Sequence, residues 1–169
     1  MIEPLVYVDA CIFLNVIRRE PELWPDSLKI LLAAHRGDIR LVASTLLLVE
    51  LNGEKRSASA AFRAERDKVI QQYLDALEVE WVEVDHITAR DTRKIAEQHG
   101  LLGADAAHLA TAVRRNAEYF ISRDAQFPYG ATVGSRTKVV KPTILWNPTV
   151  DDVTVDQQAA AEASGDGGP

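Results

Sequence analysis

The chain has 169 residues, of which 47% are hydrophobic and 26% charged, and its formal net charge is -6. This length fits one ordinary domain, and the composition is that of a globular protein. No apolar run reaches the roughly 18 residues of a membrane span. The N-terminus lacks the basic segment of a signal peptide, and the single cysteine, Cys11, cannot form an internal disulfide. We therefore predict a cytoplasmic protein with no membrane partner.

The negative charge is concentrated at the C-terminal end. Residues 151–169 hold five of the 25 acids and no Lys or Arg, which leaves 20 acids against 19 bases in residues 1–150. The body of the chain is therefore nearly neutral, and its charge does not exclude a polyanionic substrate.

In chain order, the sequence alternates between short apolar strands and amphipathic helices. The predicted strands are "PLVYVD", "DIRLVAS", "VEWVEV", "EYFIS" and a fifth within "TKVVKPTILW". The predicted helices are "ACIFLNVIRRE", "PDSLKILLAAHRG", "STLLLVEL", "EKRSASAAFRAERDKVIQQYLDAL", "TARDTRKIAEQHG" and "ADAAHLATAVRRN". This alternation predicts an α/β domain over residues 1–150 with a mostly parallel sheet. Residues 151–169 lack large apolar side chains towards their end and are predicted to be a disordered acidic tail.

Acidic residues follow two of the predicted strands and belong to two of the predicted helices. Asp9 closes "LVYVD" and Asp124 follows "YFIS", while Glu50 lies in "TLLLVEL" and Asp105 in "GADAAHLATA". Open parallel sheets bind ligands beyond the carboxyl ends of their strands. If the four carboxylates converge there, they form an oxygen-rich site suited to Mg²⁺ or Mn²⁺.

Each acid also has a simpler interpretation. Asp9 can cap the following helix, Asp105 lies at a helix N-terminus where the backbone dipole stabilises a carboxylate, and Asp124 can be a turn residue. Glu50 has apolar neighbours on every face of its helix, so the alternative for it is a side chain that reaches solvent past Leu51.

Other polar residues near these acids have supporting interpretations. His108 shares a helical face with Asp105 and is interpreted as a packed or supporting residue rather than a ligand. Ser122 is placed to donate a hydrogen bond beside Asp124, or merely to end a strand. Arg114, Arg115 and Arg123 are interpreted as solvated, and they are also candidates for phosphate contacts.

Four short segments, in order and with matching spacing, resemble the PIN-domain family and within it the VapC-type toxins of bacterial toxin–antitoxin pairs. The segments are "VYVDACIFL", "ASTLLLVEL", "GADAAHLATA" and "YFISRDAQFP". The resemblance covers nearly all of residues 1–145. It implies a PIN-like three-layer domain whose central sheet of about five strands is flanked by helices.

The resemblance also implies a function and a set of site residues. Asp9, Glu50, Asp105 and Asp124 correspond to the acidic metal-binding and catalytic residues, and Ser122 stands where the family usually has Ser or Thr. The implied activity is Mg²⁺- or Mn²⁺-dependent cleavage of RNA by the toxin of a type II toxin–antitoxin pair. The implied partners are a second copy of the chain and an antitoxin protein that covers the site. Gln126 replaces an acid found in many relatives, which puts a second metal ion in doubt.

Two other functions remain open from the sequence. A PIN-like domain can bind RNA or a partner without cutting it. A phosphoacceptor signalling module shares the alternation of strands and helices, but it normally needs an acid beside its N-terminal aspartate and a lysine after a late strand, and neither accompanies Asp9 and "YFIS" here.

Overall fold

The structure, a computed structural model, describes residues 3–52, 59–144 and 146–164, and within them the strands form one six-stranded sheet. The strand order is β3-β2-β1-β4-β6-β5, and the strands are Leu5–Val8 (β1), Arg40–Ser44 (β2), Val79–Val82 (β3), Tyr119–Ile121 (β4), Thr132–Val133 (β5) and Thr137–Val140 (β6). Every neighbouring pair is parallel except β5 and β6. The predicted α/β fold with a mostly parallel sheet is confirmed. Strand β5 was not predicted, because two residues are too few to carry a periodic pattern.

Seven helices lie in the described part of the chain. They are Ala10–Ile17 (α1), Trp24–His35 (α2), Leu46–Asn52 (α3), Ala60–Ala76 (α4), His86–His99 (α5), Gly103–Arg114 (α6) and Val150–Ser164 (α7). The first six correspond to the six predicted helices. Residues 54–58 of the predicted basic helix lie outside the described residues, and α4 begins after Ser59, whose hydroxyl accepts the Phe62 N–H.

Two apolar cores cover the two faces of the sheet and make three layers. Successive side chains of a strand point to opposite faces, so Val6 and Val8 enter one core and Tyr7 the other. The Val6 core receives residues from α1, α2, α3 and α4, and the Tyr7 core receives residues from α5 and α6. Both faces of the parallel sheet are therefore covered, as parallel sheets require.

The order of the strands reverses beside β1. The chain passes from β1 to β2 and β3 on one side and returns to β4 on the other. Ligands of open α/β sheets bind at such a reversal, outside the carboxyl ends of the strands. Asp9 directly follows β1, and Ser122 directly follows β4.

The prediction of a disordered tail over residues 151–169 is wrong for residues 151–164, which belong to helix α7; residues 165–169 lie outside the described residues. At the start of the helix the Thr149 N–H and hydroxyl both donate to the Asp152 carboxylate, and the Asp152 N–H donates to the Thr149 carbonyl oxygen. Asp152 and Val155 are buried on one face of the helix. The T-x-x-D cap signal outweighs the scarcity of large apolar side chains.

Helix α7 packs against α2, and three ion pairs join it to the domain. Asp152 pairs with Arg36, Asp156 with the buried Lys29, and Glu162 with Arg19. In the described parts of the chain, no helix is long and apolar enough to cross a membrane.

Candidate metal centre

Asp9 lies at the carboxyl end of β1 with its side chain buried. One carboxylate oxygen, Oδ1, accepts the Ala10 N–H at 2.8 Å, so Asp9 caps helix α1. The other oxygen, Oδ2, accepts the Ser122 hydroxyl at 2.7 Å. Capping α1 and binding a metal ion are therefore not alternative roles for Asp9, because each carboxylate oxygen has two lone pairs and can accept more than one partner.

Ser122 joins two of the predicted acids. Its hydroxyl donates to Asp9 and accepts the Asp124 N–H at 3.1 Å, and the side chain is fully buried. Ser122 thus donates a hydrogen bond beside Asp124, and the acceptor is the carboxylate of Asp9. It fixes the end of β1 against the end of β4.

Asp124 forms a turn of its own. Its Oδ1 accepts the Gln126 N–H at 3.0 Å, which is the local bond that makes Asp common in turns. Its carbonyl oxygen accepts the Tyr129 hydroxyl at 2.8 Å. The loop that carries Asp124 is thus held from both sides, and its second carboxylate oxygen, Oδ2, is not used by this turn.

Glu50 turns inward rather than out to solvent. Its Oε2 lies 2.8 Å from Nε2 of His108, and the side chain is 28% exposed. His108 is fully buried and comes from α6, on the other side of the site. The interpretation of Glu50 as a helix-end residue that reaches solvent past Leu51 is wrong.

Asp105 lies in the first turn of α6, close to the other three acids. Partial burial raises the pKa of its carboxyl group, and the negative charges of Asp124, Asp9 and Glu50 raise it further. Asp105 is not the cap residue of α6, which is Leu102. The raised pKa is what four acids in one neighbourhood should produce.

Three atoms of the types that bind metal ions, one each from Asp9, Glu50 and His108, lie within 4.8 Å of one another. Asp105 and Asp124 contribute no atom to this tight group, although their charges act on the same site. Carboxylate oxygens are the ligands that Mg²⁺ and Mn²⁺ prefer, and the acids that surround the group favour a divalent cation. The residues present therefore fit a metal of this class.

Cys11 lies beside the same bridge, with its sulfur 3.6 Å from Oγ of Ser122 and 3.3 Å from the Arg123 nitrogen. Burial and the charge of Asp9 raise the pKa of the Cys11 thiol to about 12. The group is therefore a neutral thiol rather than a nucleophilic thiolate.

The arginines predicted as candidates for phosphate contacts have other partners. Arg114 pairs with Asp85 and Asp91, and Arg115 with Glu80. Arg123 donates to the Leu23 carbonyl oxygen and pairs with Asp26. Each of the three side chains therefore has a protein partner.

Two residues of the site were not predicted. Tyr7 donates to or accepts from Nδ1 of His108 at 2.6 Å, and Tyr129 supports the loop of Asp124. In the sequence Tyr7 is one apolar-pattern residue of "LVYV", so only the cross-strand geometry could reveal its contact with a helix 101 residues later.

Comparison with known proteins agrees with this geometry. Residues 6–131 match the PIN domain family. Because this match covers more than half of the chain, the chain belongs to the PIN-domain family, which is a family of nucleases. No protein with a curated description matches the chain.

Solved structures with the same fold come from toxin–antitoxin systems. They include VapBC2 from Rickettsia felis bound to a promoter DNA fragment, with a TM-score of 0.59 and 13% identity over 81% of this chain and 98% of that one. A DNA-bound VapBC from Salmonella typhimurium has a TM-score of 0.58 and 18% identity over 84% and 99%. FitAcB from Neisseria gonorrhoeae has a TM-score of 0.57 and 18% identity over 83% and 99%. At these identities the likeness establishes the fold, and the family favours a nuclease over a phosphoacceptor module.

Proposed function

We propose that the chain is a Mg²⁺- or Mn²⁺-dependent endoribonuclease and the toxin of a type II toxin–antitoxin pair. The observation that carries the proposal is that Asp9 and Glu50 offer oxygens within 4.8 Å of each other and of a His108 nitrogen in a PIN domain, with the charges of Asp9, Glu50 and Asp124 acting on Asp105. The negative charges of Asp9, Glu50 and Asp124 all act on the Asp105 carboxyl group, as expected of acids that share one site.

The residues of the site have different roles in this proposal. Asp9 and Glu50 would hold the metal ion, and Asp105 and Asp124 would complete its acidic surroundings. When bound there, the ion would supply positive charge against the phosphodiester and an activated water for hydrolysis. Ser122 fixes the orientation of Asp9, and the turn at Asp124 fixes that acid relative to the end of β4.

The partners of this toxin are RNA as substrate, a cognate antitoxin and a second copy of the chain. A protein partner is supported by the exposed apolar side chains of α3 and α4, which are Leu48, Val49 and Phe62. A groove of about 500 Å³ is lined by Phe62 together with Ile17 and Val69. The solved structures with this fold include a toxin–antitoxin complex from Klebsiella pneumoniae. An antitoxin arginine inserted among the carboxylates would compete with the metal ion.

The test is cleavage of purified tRNA, rRNA and mRNA in the presence of Mg²⁺, Mn²⁺ or EDTA, with the cut ends mapped. We expect cleavage with metal and none in EDTA. Asp9→Asn and Asp105→Asn should each lower the rate by more than the 10- to 100-fold that is typical for supporting residues of metal sites. Asp67→Asn, which changes an exposed acid on α4, is the matched control and should cut like the wild type.

Two results contradict the proposal. Cleavage at the wild-type rate by Asp9→Asn would remove that acid from the site. Tight binding of RNA without cleavage in either metal would instead identify the chain as a PIN-like binding domain.

A further inference from the structure

A buried chain of hydrogen bonds runs from the main chain of β2 through Tyr7 and His108 to Glu50. The Ser44 N–H donates to the Tyr7 oxygen at 3.0 Å, the Tyr7 oxygen lies 2.6 Å from Nδ1 of His108, and Nε2 of His108 lies 2.8 Å from Oε2 of Glu50. Ser44 and His108 are fully buried, and so is the Tyr7 side chain. These three residues belong to β2, α6 and β1, so the chain spans the sheet and the layer above it.

The direction of each hydrogen bond follows from the two ends of the chain, where the role of one partner is fixed. A backbone N–H can only donate, so the Tyr7 oxygen accepts from Ser44, and the phenol's own hydrogen remains available. At the other end the Glu50 carboxylate accepts, so Nε2 of His108 donates to it. In a neutral ring Nδ1 is then the acceptor, with the Tyr7 hydroxyl at 2.6 Å and the Ser44 hydroxyl at 3.3 Å. A neutral imidazole that accepts at Nδ1 carries its hydrogen on Nε2.

We infer that His108 is a positioning residue that holds the Glu50 carboxylate at the metal site, and that Tyr7 fixes the tautomer in which it does so. With hydrogen on Nε2, the nitrogen that faces the site has no lone pair for a metal ion, so His108 is not a ligand. Its partner Glu50 comes from α3, a helix of seven residues, and the bond to Nε2 ties that short helix to α6.

This role is typical of how metal sites are built. Ligating carboxylates are themselves hydrogen-bonded, and loss of such a partner commonly lowers metal affinity 10- to 100-fold. The inference rests on the metal site of the proposed function but not on cleavage of RNA.

The first experiment reads the tautomer directly, by long-range ¹H–¹⁵N NMR of the histidine rings. The His108 signals are assigned by their loss in His108→Gln. We expect hydrogen on Nε2 and an unprotonated Nδ1 in the metal-free protein, and the same pattern with saturating Mg²⁺, which is diamagnetic. Hydrogen on Nδ1 in the metal-free protein, or loss of the Nε2 hydrogen when Mg²⁺ is added, would overturn the inference, since the second result is what a ligand would give.

The second experiment measures Mn²⁺ affinity without RNA in variants that melt cooperatively in EDTA. His108→Leu fills a similar volume but cannot donate, and we expect its Kd to rise about 10-fold or more. His108→Gln keeps an N–H near the position of Nε2 and should stay within a few-fold of the wild type. Tyr7→Phe should weaken binding, whereas Tyr119→Phe on neighbouring β4, where the ring packs against Trp146, should not.

The variants also distinguish this role from others. Wild-type affinity in a folded His108→Leu would overturn the inference, and so would His108→Gln binding as weakly as His108→Leu. If His108→Leu does not fold, Tyr7→Phe and the NMR spectra carry the test. Because neither experiment contains RNA, a protein that proves not to cut RNA would leave this result unaffected.

Discussion

Individual acidic side chains of the site stabilise the local backbone and also take part in the candidate metal centre. Asp9 caps α1 with one oxygen and receives Ser122 on the other, and Asp124 makes a turn while its N–H bonds to the same serine. The sequence presented cap and ligand as competing interpretations for each acid. They compete only if one carboxylate has one partner, and a carboxylate has about four acceptor positions.

Asp105 gives the first prediction, on stability without metal. In EDTA its pKa lies above the ordinary value of about 3.9. From that value up to the raised pKa, the folded protein binds more protons at this group than the unfolded chain, so stability falls as pH rises through that window. Asp105→Asn has no titrating carboxyl group at this position, so it does not lose this folding stability as pH rises. We expect it to melt above wild type near neutral pH and close to wild type below pH about 4.

Thermal melts in EDTA across this pH range are the measurement, with Asp67→Asn on α4 as the control that should follow wild type. An Asp105→Asn protein that melts below wild type at neutral pH would mean that the carboxylate stabilises α6 through its helix dipole, and that the repulsion from the other acids is the smaller effect.

At the scale of helices and strands, the sequence predicted every element that has a long periodic pattern. Strand β5 has only two residues and so carries no periodic pattern, and α7 has a capping signal but few large apolar side chains. The stretch "TVDDVTVD" contains a T-x-x-D cap and places Asp152, Val155 and Asp156 on one face, which is the face that meets α2. A helix anchored by one buried valine and three ion pairs has little apolar signal to detect.

The second prediction follows from that anchor. Val155→Ala removes a side chain that is 5% exposed, at a cost of roughly 1–2 kcal/mol. This corresponds to a drop of about 2–8 °C in melting temperature for a domain of this size. Val153→Ala, on the same helix with a 54% exposed side chain, is the matched control and should change little.

Both substitutions change helix propensity equally, so their difference isolates the packing of α7 on the domain. Equal melting temperatures for the two variants would show that α7 does not contribute to stability through Val155, and would leave its ion pairs as the whole attachment.

At the scale of the molecule, the site exists only because distant parts of the chain meet. The strand reversal beside β1 could be expected from the alternation of elements, and it accounts for Asp9, Ser122 and Asp124. The contact between Tyr7 and His108 could not be expected from that alternation, since it depends on which face of β1 meets which turn of α6. The sequence therefore indicated the acids of the site but not the hydrogen bonds that orient them.

The same dependence on the whole fold gives the last prediction. Asp9, Glu50, Asp105 and Asp124 come from four separate segments, so the unfolded chain offers no comparable metal site, and metal bound only by the folded state must stabilise it. At a metal concentration 100 times the Kd the gain is about 2.7 kcal/mol. For a chain of this size that raises the melting temperature by about 5–11 °C.

We expect Mn²⁺ to produce a shift of this order in wild type and in Asp67→Asn, and a much smaller one in Asp9→Asn and Glu50→Gln. Melts of the four proteins with Mn²⁺ and with EDTA make the comparison. If Asp9→Asn gained as much from Mn²⁺ as wild type, the ion would bind elsewhere, and the convergence of the acids at the strand reversal would need another explanation.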